Sequence, residues 1–253
     1  MIIHSWYYPV LFLAGFFSGL VDAIAGGGGL ITLPLMLSLG FPPHIALGTN
    51  RLQASFGSFT ASYYYVKKDL VDFKSCILGI VLTFIGAAAG SWAVEQISSD
   101  ALKHIIPFLL VGVVIYSFFK INLEDIDKRA RMSEFVFYLL VGSALGFYGG
   151  FFGLGVGSFW AIAFVIGLGY NLKKATGYTK VMNFTSNVVS LIVFMMGGYV
   201  LWGIGILMSV GQVAGSKIGA ELVIKRGAKF IRPIFIVTVL ATTLKIIYDL
   251  IVH

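Results

Sequence analysis

The longest uncharged runs of this chain limit what it can fold into. Residues 135–172 run for 38 positions without an Asp, Glu, Lys or Arg, and residues 181–216 run for 36. Residues 1–21 and 23–50 flank a single carboxylate, Asp22, and residues 75–94 add a further 20 uncharged positions. An apolar run of about 18 residues is long enough to cross a bilayer, and the two longest runs can each hold more than one element. Backbone N–H and C=O groups find no water in the hydrocarbon core, so such a chain crosses it as helices. Of the 253 residues 58% are hydrophobic and 11% charged, against about 25% charged in an ordinary soluble domain. With a mean hydropathy of +0.93, the sequence reads as an all-α polytopic membrane protein, almost all of it inside the bilayer.

The net charge is +7, and the Lys and Arg residues sit mostly in short loops between apolar segments. That is the positive-inside pattern rather than a nucleic-acid surface. The single Cys76 excludes an internal disulfide and a cysteine-cluster metal site, and reads as a small buried apolar residue. Residues 1–9 carry no basic region, so the first span is expected to begin there without a cleavable signal.

The chain repeats itself. LAGFFSGLVDAIAGGGGLITLP from Leu13 lies over LVGSALGFYGGFFGLGVGSFWA from Leu140, pairing Gly15 with Gly142, Gly19 with Gly146, Gly26 with Gly153 and Gly28 with Gly155. LGFPPHIALGTNR from Leu39 lies over LGYNLKKATGYTK from Leu168, pairing Arg51 with Lys180. GAAAGS from Gly86 matches GQVAGS from Gly211, and Pro107 matches Pro233. All four blocks keep their order at offsets of 125 to 129 residues, which reads as a duplication.

Charge sets the orientation of the two copies. The loop VKKDLVDFK at 66–74 is basic, while its partner MGGYVLW at 196–202 is uncharged. EQISSDALK at 95–103 is slightly acidic, while KRGAKFIR at 225–232 is strongly basic. FPPH at 41–44 is uncharged and YNLKK at 170–174 is basic. Equivalent loops of opposite charge belong on opposite sides of the membrane, so the expected architecture is a pair of inverted-topology repeats, an arrangement common in secondary transporters. The first is expected over 1–120, a cytoplasmic linker over 121–132 and the second repeat over 133–253.

Each repeat then holds five elements. They are expected at 8–26, 29–40, 45–66, 74–96 and 102–120, and at 133–152, 157–168, 175–196, 203–224 and 230–251. The eleven residues 29–39 rise only about 16 Å of a core about 30 Å thick. The first two elements of each repeat are therefore read as a broken or re-entrant Gly-rich pair, followed by three transmembrane helices. Lys245 conflicts with the outside location this topology gives the C-terminus; Asp249, four residues on, is its expected partner.

The glycine runs carry the first chemical signal. A break placed directly before a helix leaves free N–H groups and the positive end of the helix dipole, which favours an anion. GGGGLITLP and GLGVGSFW each supply one such start, and inversion aims them at each other. Gly15, Gly19, Gly86 and Gly90 read instead as close helix packing. Gly26–Gly29 and Gly153–Gly157 are too dense to stay helical and read as a binding loop.

Two further stretches, ALGTNRLQASFGS and ATGYTKVMNFTSN, open a helix with polar residues and one cation each. Arg51 and Lys180 either snorkel from the helix start or reach a ligand. Asn50, Gln53, Asn183 and Asn187 either bond helix to helix or line a cavity. Asp22 is a lone intramembrane carboxylate whose repeat counterpart is Gly149. It reads as a proton acceptor, a cation ligand, or a structural partner for Arg51. His4, His44, His104 and His253 are scattered, with no pair at metal-ligand spacing, and no nucleophile has an evident base, so neither a metal, a cofactor nor an enzyme is expected. GGGGL lacks the Lys-Ser/Thr of a phosphate-binding loop.

GLVDAIAGGGGLITLPLMLSLGFPPHIALGTN at 19–50 resembles the signature of the TauE/SafE family, the sulfite-exporter and toluene-sulfonate-uptake permease group, and GGFFGLGVGSFWAIAFVIGLGYNLKKATGYTK at 149–180 is similar to that family's second repeat. The resemblance covers nearly the whole chain. It implies a bacterial or archaeal inner-membrane protein that moves sulfur-containing anions such as sulfite, sulfoacetate or sulfonates. The expected mechanism is alternating access around a mid-membrane site, with a passive anion channel or a carrier of another small organic anion as alternatives. The expected binding set is Gly26, Gly27, Gly28, Gly29, Thr49, Asn50, Arg51 and Gln53 from the first repeat, and Gly153, Gly155, Gly157, Ser158, Thr179, Lys180 and Asn183 from the second. Asp22 is the expected site of coupling to a proton or sodium ion. The expected partners are a small anion and the lipid bilayer, with a homodimer left open and no nucleic acid.

Overall fold

A computed structural model describes residues 4–117 and 126–227 of the chain. Among these residues the regular structure is helical. The first half holds α1 (Tyr7–Ala25), α2 (Gly29–Ser38), α3 (Pro43–Lys67), α4 (Ile77–Glu95) and α5 (Ser99–Ser117). The second half holds α6 (Glu134–Phe151), α7 (Val156–Gly167), α8 (Leu172–Met196) and α9 (Trp202–Arg226). These bounds fall within about three residues of the sequence expectation, because the same residues that end the apolar pattern end the helices. Pro43 occupies the first helical position of α3, where its missing N–H costs nothing, and the Asn171 side chain caps α8 by accepting from Lys174 N at 2.9 Å. The expected element at 230–251, the Lys245–Asp249 pairing and residues 121–125 of the linker lie outside the described residues.

Among the described residues four helices are long and apolar enough to cross a membrane: α1, the stretch Lys74–Glu95, α6 and α8. The helices α2 and α7 are not, with 10 and 12 residues. At about 1.5 Å per residue they rise about 15 and 18 Å, well short of a bilayer core of about 30 Å. Large apolar side chains on the outer faces remain exposed, among them Phe56, Phe59 and Tyr63 on α3 and Phe84, Ile85 and Trp92 on α4. In water such a surface would aggregate, whereas in lipid it is the solvated face.

Glycines set the closest helix crossings. α1 packs on α9, and α4 packs on α6. A Cβ on Gly15 or Gly19 would collide with the Met208 or Gln212 carbonyl, and one on Gly86 or Gly90 with the Ser143 or Phe147 carbonyl. These four glycines therefore serve packing, as their spacing suggested. Where α4 reaches Gly79, the ring of Tyr138 fills the gap, and α6 widens to a π-turn over Tyr138–Gly142.

The core is two apolar clusters with a polar band between them. Along α3, Ala46, Leu47 and Leu52 belong to one cluster and Ala61 and Tyr65 to the other. Gln53, Ser55 and Ser58 fall between and are buried. Along α8, Leu172 to Met182 and then Phe194 mark the same change of cluster, with buried Asn183, Ser186 and Ser190 between. The helix pair α3–α8 thus threads a polar layer through the middle of an apolar molecule.

Candidate functional site

Left-handed glycines follow both broken helices. Gly26 has φ 79°, and its N–H closes the last turn of α1 on the Asp22 carbonyl at 2.8 Å. Gly153 and Gly155 follow α6 with φ 75° and 69°. A residue with a Cβ is strained there, so the glycines let each chain stop one helix and start another within a few residues.

The two breaks touch backbone to backbone. A Cβ on Gly26 would lie 2.5 Å from Gly157 Cα and 2.9 Å from Ser158 N. The Ser158 hydroxyl donates to the Ala25 carbonyl at 3.0 Å, tying the start of α7 to the end of α1. The N–H groups of Gly29 and Gly157, in the first turns of α2 and α7, donate to no acceptor among the described residues. Unpaired donors and a positive dipole end thus lie beside the contact, together with backbone that has shed its helical partners.

Arg51 and Lys180 do not snorkel. Their exposures are 2% and 0%, and each sits eight residues inside its helix, counting from Pro43 and Leu172. Each cation crosses to the last turn of the broken helix in the opposite half. Arg51 Nη2 donates to the Gly150 carbonyl of α6 at 3.1 Å, and Nη1 donates to Asn187 Oδ1 at 3.3 Å. Lys180 donates to the Asp22 carbonyl of α1, with its Nζ 3.6 Å from Asp22 Oδ2. The negative end of a helix dipole attracts a cation, which explains both placements. Asp22 was expected to pair with Arg51 if it paired at all; the structure corrects this, because Lys180 is the cation that reaches the end of α1.

The equivalence stops at charge. Lys180 has a carboxylate. Arg51 meets none among the described residues, and its Nε has no partner. Its guanidinium lies against Gly153, where a Cβ would overlap Nη1.

Polar side chains flank the breaks. Asn50 Oδ1 accepts from Thr32 Oγ1 at 2.6 Å and from Gln53 Nε2 at 2.7 Å, while its amide nitrogen faces Gly29. The Asn183 amide nitrogen faces Gly157 in the same way. Asn183 Oδ1 and Gln53 Oε1 are buried without partners among the described residues. Thr49 and Thr179 are engaged elsewhere: Thr49 Oγ1 accepts from Leu201 N at 3.0 Å, and Thr179 Oγ1 donates to its own helix at Ala175 O, 2.8 Å. Of the expected set, Gly26, Gly157, Ser158 and Asn183 form one group, Gly29, Asn50 and Gln53 a second, and Arg51 with Gly153 a third. Gly27, Gly28 and Gly155 lie in the breaks themselves, with Gly28 backed by Ser18.

Several participants were not singled out by sequence. Thr32 bonds Asn50, and the single Ser91 O–H lies within reach of two acceptors, Ser190 Oγ at 2.8 Å and Gly150 O at 3.2 Å, beside the Arg51 contact. The Tyr65 hydroxyl donates to the Ala23 carbonyl at 3.2 Å. A cleft of about 300 Å³ lined by Asp69, Asp72, Asn171, Lys174 and Tyr178 lies beyond these groups, where the 68–74 loop meets the start of α8.

The sequence is similar to known proteins over almost its full length. A protein of Haemophilus influenzae called a probable membrane transporter protein is 42% identical over 95% of this chain and 94% of its own length. The probable membrane transporter protein YfcA of Escherichia coli is 40% identical over 95% of this chain and 89% of its own. A more distant relative, a probable membrane transporter protein of Methanocaldococcus jannaschii, is 24% identical over 88% of this chain. No solved structure matches the chain. The family described as sulfite exporter TauE/SafE matches residues 11–246. The chain is a multi-pass membrane transporter protein and belongs to the TauE/SafE sulfite exporter family.

Proposed function

We propose that the protein is a secondary transporter that moves a small sulfur-containing oxyanion or organosulfonate across the bacterial or archaeal inner membrane by alternating access. The observation that carries this reading is Arg51: a guanidinium buried to 2% exposure, facing a glycine break, with an unpartnered Nε and no carboxylate beside it among the described residues. An uncompensated buried cation is costly, and a bound anion removes the cost. The unpaired N–H groups at the starts of α2 and α7 add donors suited to sulfonate or sulfite oxygens.

The reciprocal packing of the two halves supports the alternating-access part. α1 packs on α9 and α4 on α6, so the first helix of each half meets the fourth of the other, as a two-fold relation between halves requires. The backbone approach of Gly26 to Gly157 leaves no room for even a methyl group between the breaks, which favours a gated carrier over an open channel. Asp22, the one-sided carboxylate, is the proposed point of coupling to a proton or sodium ion.

Proteoliposomes loaded with sulfite or a sulfonate test the reading. Uptake against an anion gradient, driven by an imposed proton or sodium gradient, is expected for the native chain, with Arg51→Ala and Lys180→Ala strongly impaired. Flux that only follows the anion's own gradient identifies a channel. Full anion binding by both variants removes the cations from the site. An unchanged response of Asp22→Asn to ion gradients removes Asp22 from coupling.

A further inference from the structure

We propose that this site selects its anion by charge as well as by shape, binding a monoanion in preference to a dianion of the same geometry, because Asp22 cancels one of its two cations. The inference rests on the reading of the glycine breaks as an anion site and states which anions that site takes.

Arg51 and Lys180 are the Lys and Arg side chains buried among the described residues. Lys180 Nζ lies 3.6 Å from Asp22 Oδ2, and the Asp22 side chain is itself only 15% exposed. Arg51 contacts the neutral acceptors Gly150 O and Asn187 Oδ1. Among the described residues, two cations and one carboxylate leave the layer with one net positive charge.

These charges bear on one place. Arg51 lies against Gly153, Gly157 of the same break lies against Gly26, and Gly26 N–H shares the Asp22 carbonyl with Lys180. A run of backbone contact joins the two cations through both breaks, and the proposed ligand at the helix starts sits along that run. Asp22 has Gly149 as its repeat counterpart, and among the described residues no second carboxylate pairs with Arg51.

Charge inside a membrane protein is weakly screened, so the sum matters. A monoanion brings the layer to neutrality. A dianion of identical shape leaves one uncompensated negative charge buried, and its second charge meets Asp22 rather than a free cation. The same bookkeeping makes three reciprocal demands. Removing the Asp22 charge should admit dianions, removing the Lys180 charge should weaken monoanions, and removing both should restore the native preference.

Sulfate and methanesulfonate provide the comparison, since both are tetrahedral and they differ by one unit of charge at neutral pH. Binding of each is measured calorimetrically on the purified full chain. The native protein should bind methanesulfonate at least about tenfold more tightly than sulfate, because stripping water from the dianion costs more than its second charge gains from a layer of one net positive charge. Asp22→Asn should shift that ratio toward sulfate by about tenfold or more, and Lys180→Gln should weaken methanesulfonate by a similar factor. The Asp22→Asn/Lys180→Gln double variant, which leaves no lone buried charge from the pair, should return to the native ratio and serves where Asp22→Asn alone folds poorly. A ratio unmoved in Asp22→Asn, or a double variant that does not return to it, overturns charge selection while the anion site stands. Native protein that binds neither anion, or Arg51→Gln that binds both as well as native, overturns the anion site and this inference with it.

Discussion

Lys180 and Asp22 stand 158 positions apart in sequence, yet the ammonium of one holds both the backbone carbonyl and the carboxylate of the other. The pair fastens α8 to the last turn of α1, where the chain leaves the helix. Removing one partner of a buried pair strands the other charge, at a cost of about 3–5 kcal/mol, whereas replacing both with apolar groups of similar size is often neutral. Asp22→Ala is therefore expected to lower thermal stability in detergent sharply. Asp22→Leu/Lys180→Met should recover most of the loss while abolishing function. A double variant as unstable as the single one would mean that Lys180 is held by something other than Asp22.

Gly26 and Gly40 separate two effects of a Cβ. Both have positive φ, 79° and 83°, but a Cβ on Gly40 meets nothing within 4 Å, whereas one on Gly26 meets the backbone of Gly157. Gly40→Ala should cost only the left-handed strain, about 1–2 kcal/mol. Gly26→Ala adds overpacking of about 1–3 kcal/mol and should also displace α7 from α1. Melting curves of the two variants should differ by that second increment. Equal losses would show that the breaks do not bear on each other.

These contacts also mark how far the sequence could be read. Helix ends, the two short helices and the buried polar stretches of α3 and α8 were legible, because glycine runs and isolated charges in apolar sequence have few structural explanations. The partner of Asp22 was not legible. Arg51 and Lys180 occupy equivalent positions, and only the crossing of each helix to the opposite half decides which one reaches α1. Thr32 and Ser91 were silent for another reason. A hydroxyl in an apolar helix can satisfy itself on its own backbone, as Ser55 does on the Arg51 carbonyl at 2.8 Å, so its presence alone does not signal an inter-helix bond.

Gly203 and Gly215 make opposite predictions within α9. A Cβ on Gly203 meets nothing within 4 Å, while one on Gly215 would run into the Phe16 carbonyl of α1. Gly203→Ala should leave stability unchanged or raise it by up to about 1 kcal/mol through helix propensity. Gly215→Ala should push α9 off α1 and lower stability by about 1–3 kcal/mol. Comparable melting temperatures for both would place the α1–α9 crossing elsewhere.

Arg51→Lys asks whether the guanidinium is needed for its charge or for its fork. Arg51 holds Gly150 O with one nitrogen and Asn187 Oδ1 with another, leaving Nε unpartnered. Lysine keeps the charge but concentrates it at one atom on a flexible stem, so it cannot span both acceptors and still offer a directed donor. The lost hydrogen bonds to a charged group are worth about 1.5–3 kcal/mol each before any ligand effect. Asn187→Ala removes only the second acceptor and leaves the guanidinium in place. Transport of a sulfonate in proteoliposomes is therefore expected to fall in the order native, Asn187→Ala, Arg51→Lys, Arg51→Gln, with the largest step at the loss of charge. If Arg51→Lys transports as well as native while Asn187→Ala does not, the orientation set by Asn187 serves the helix contact and the anion reads charge alone.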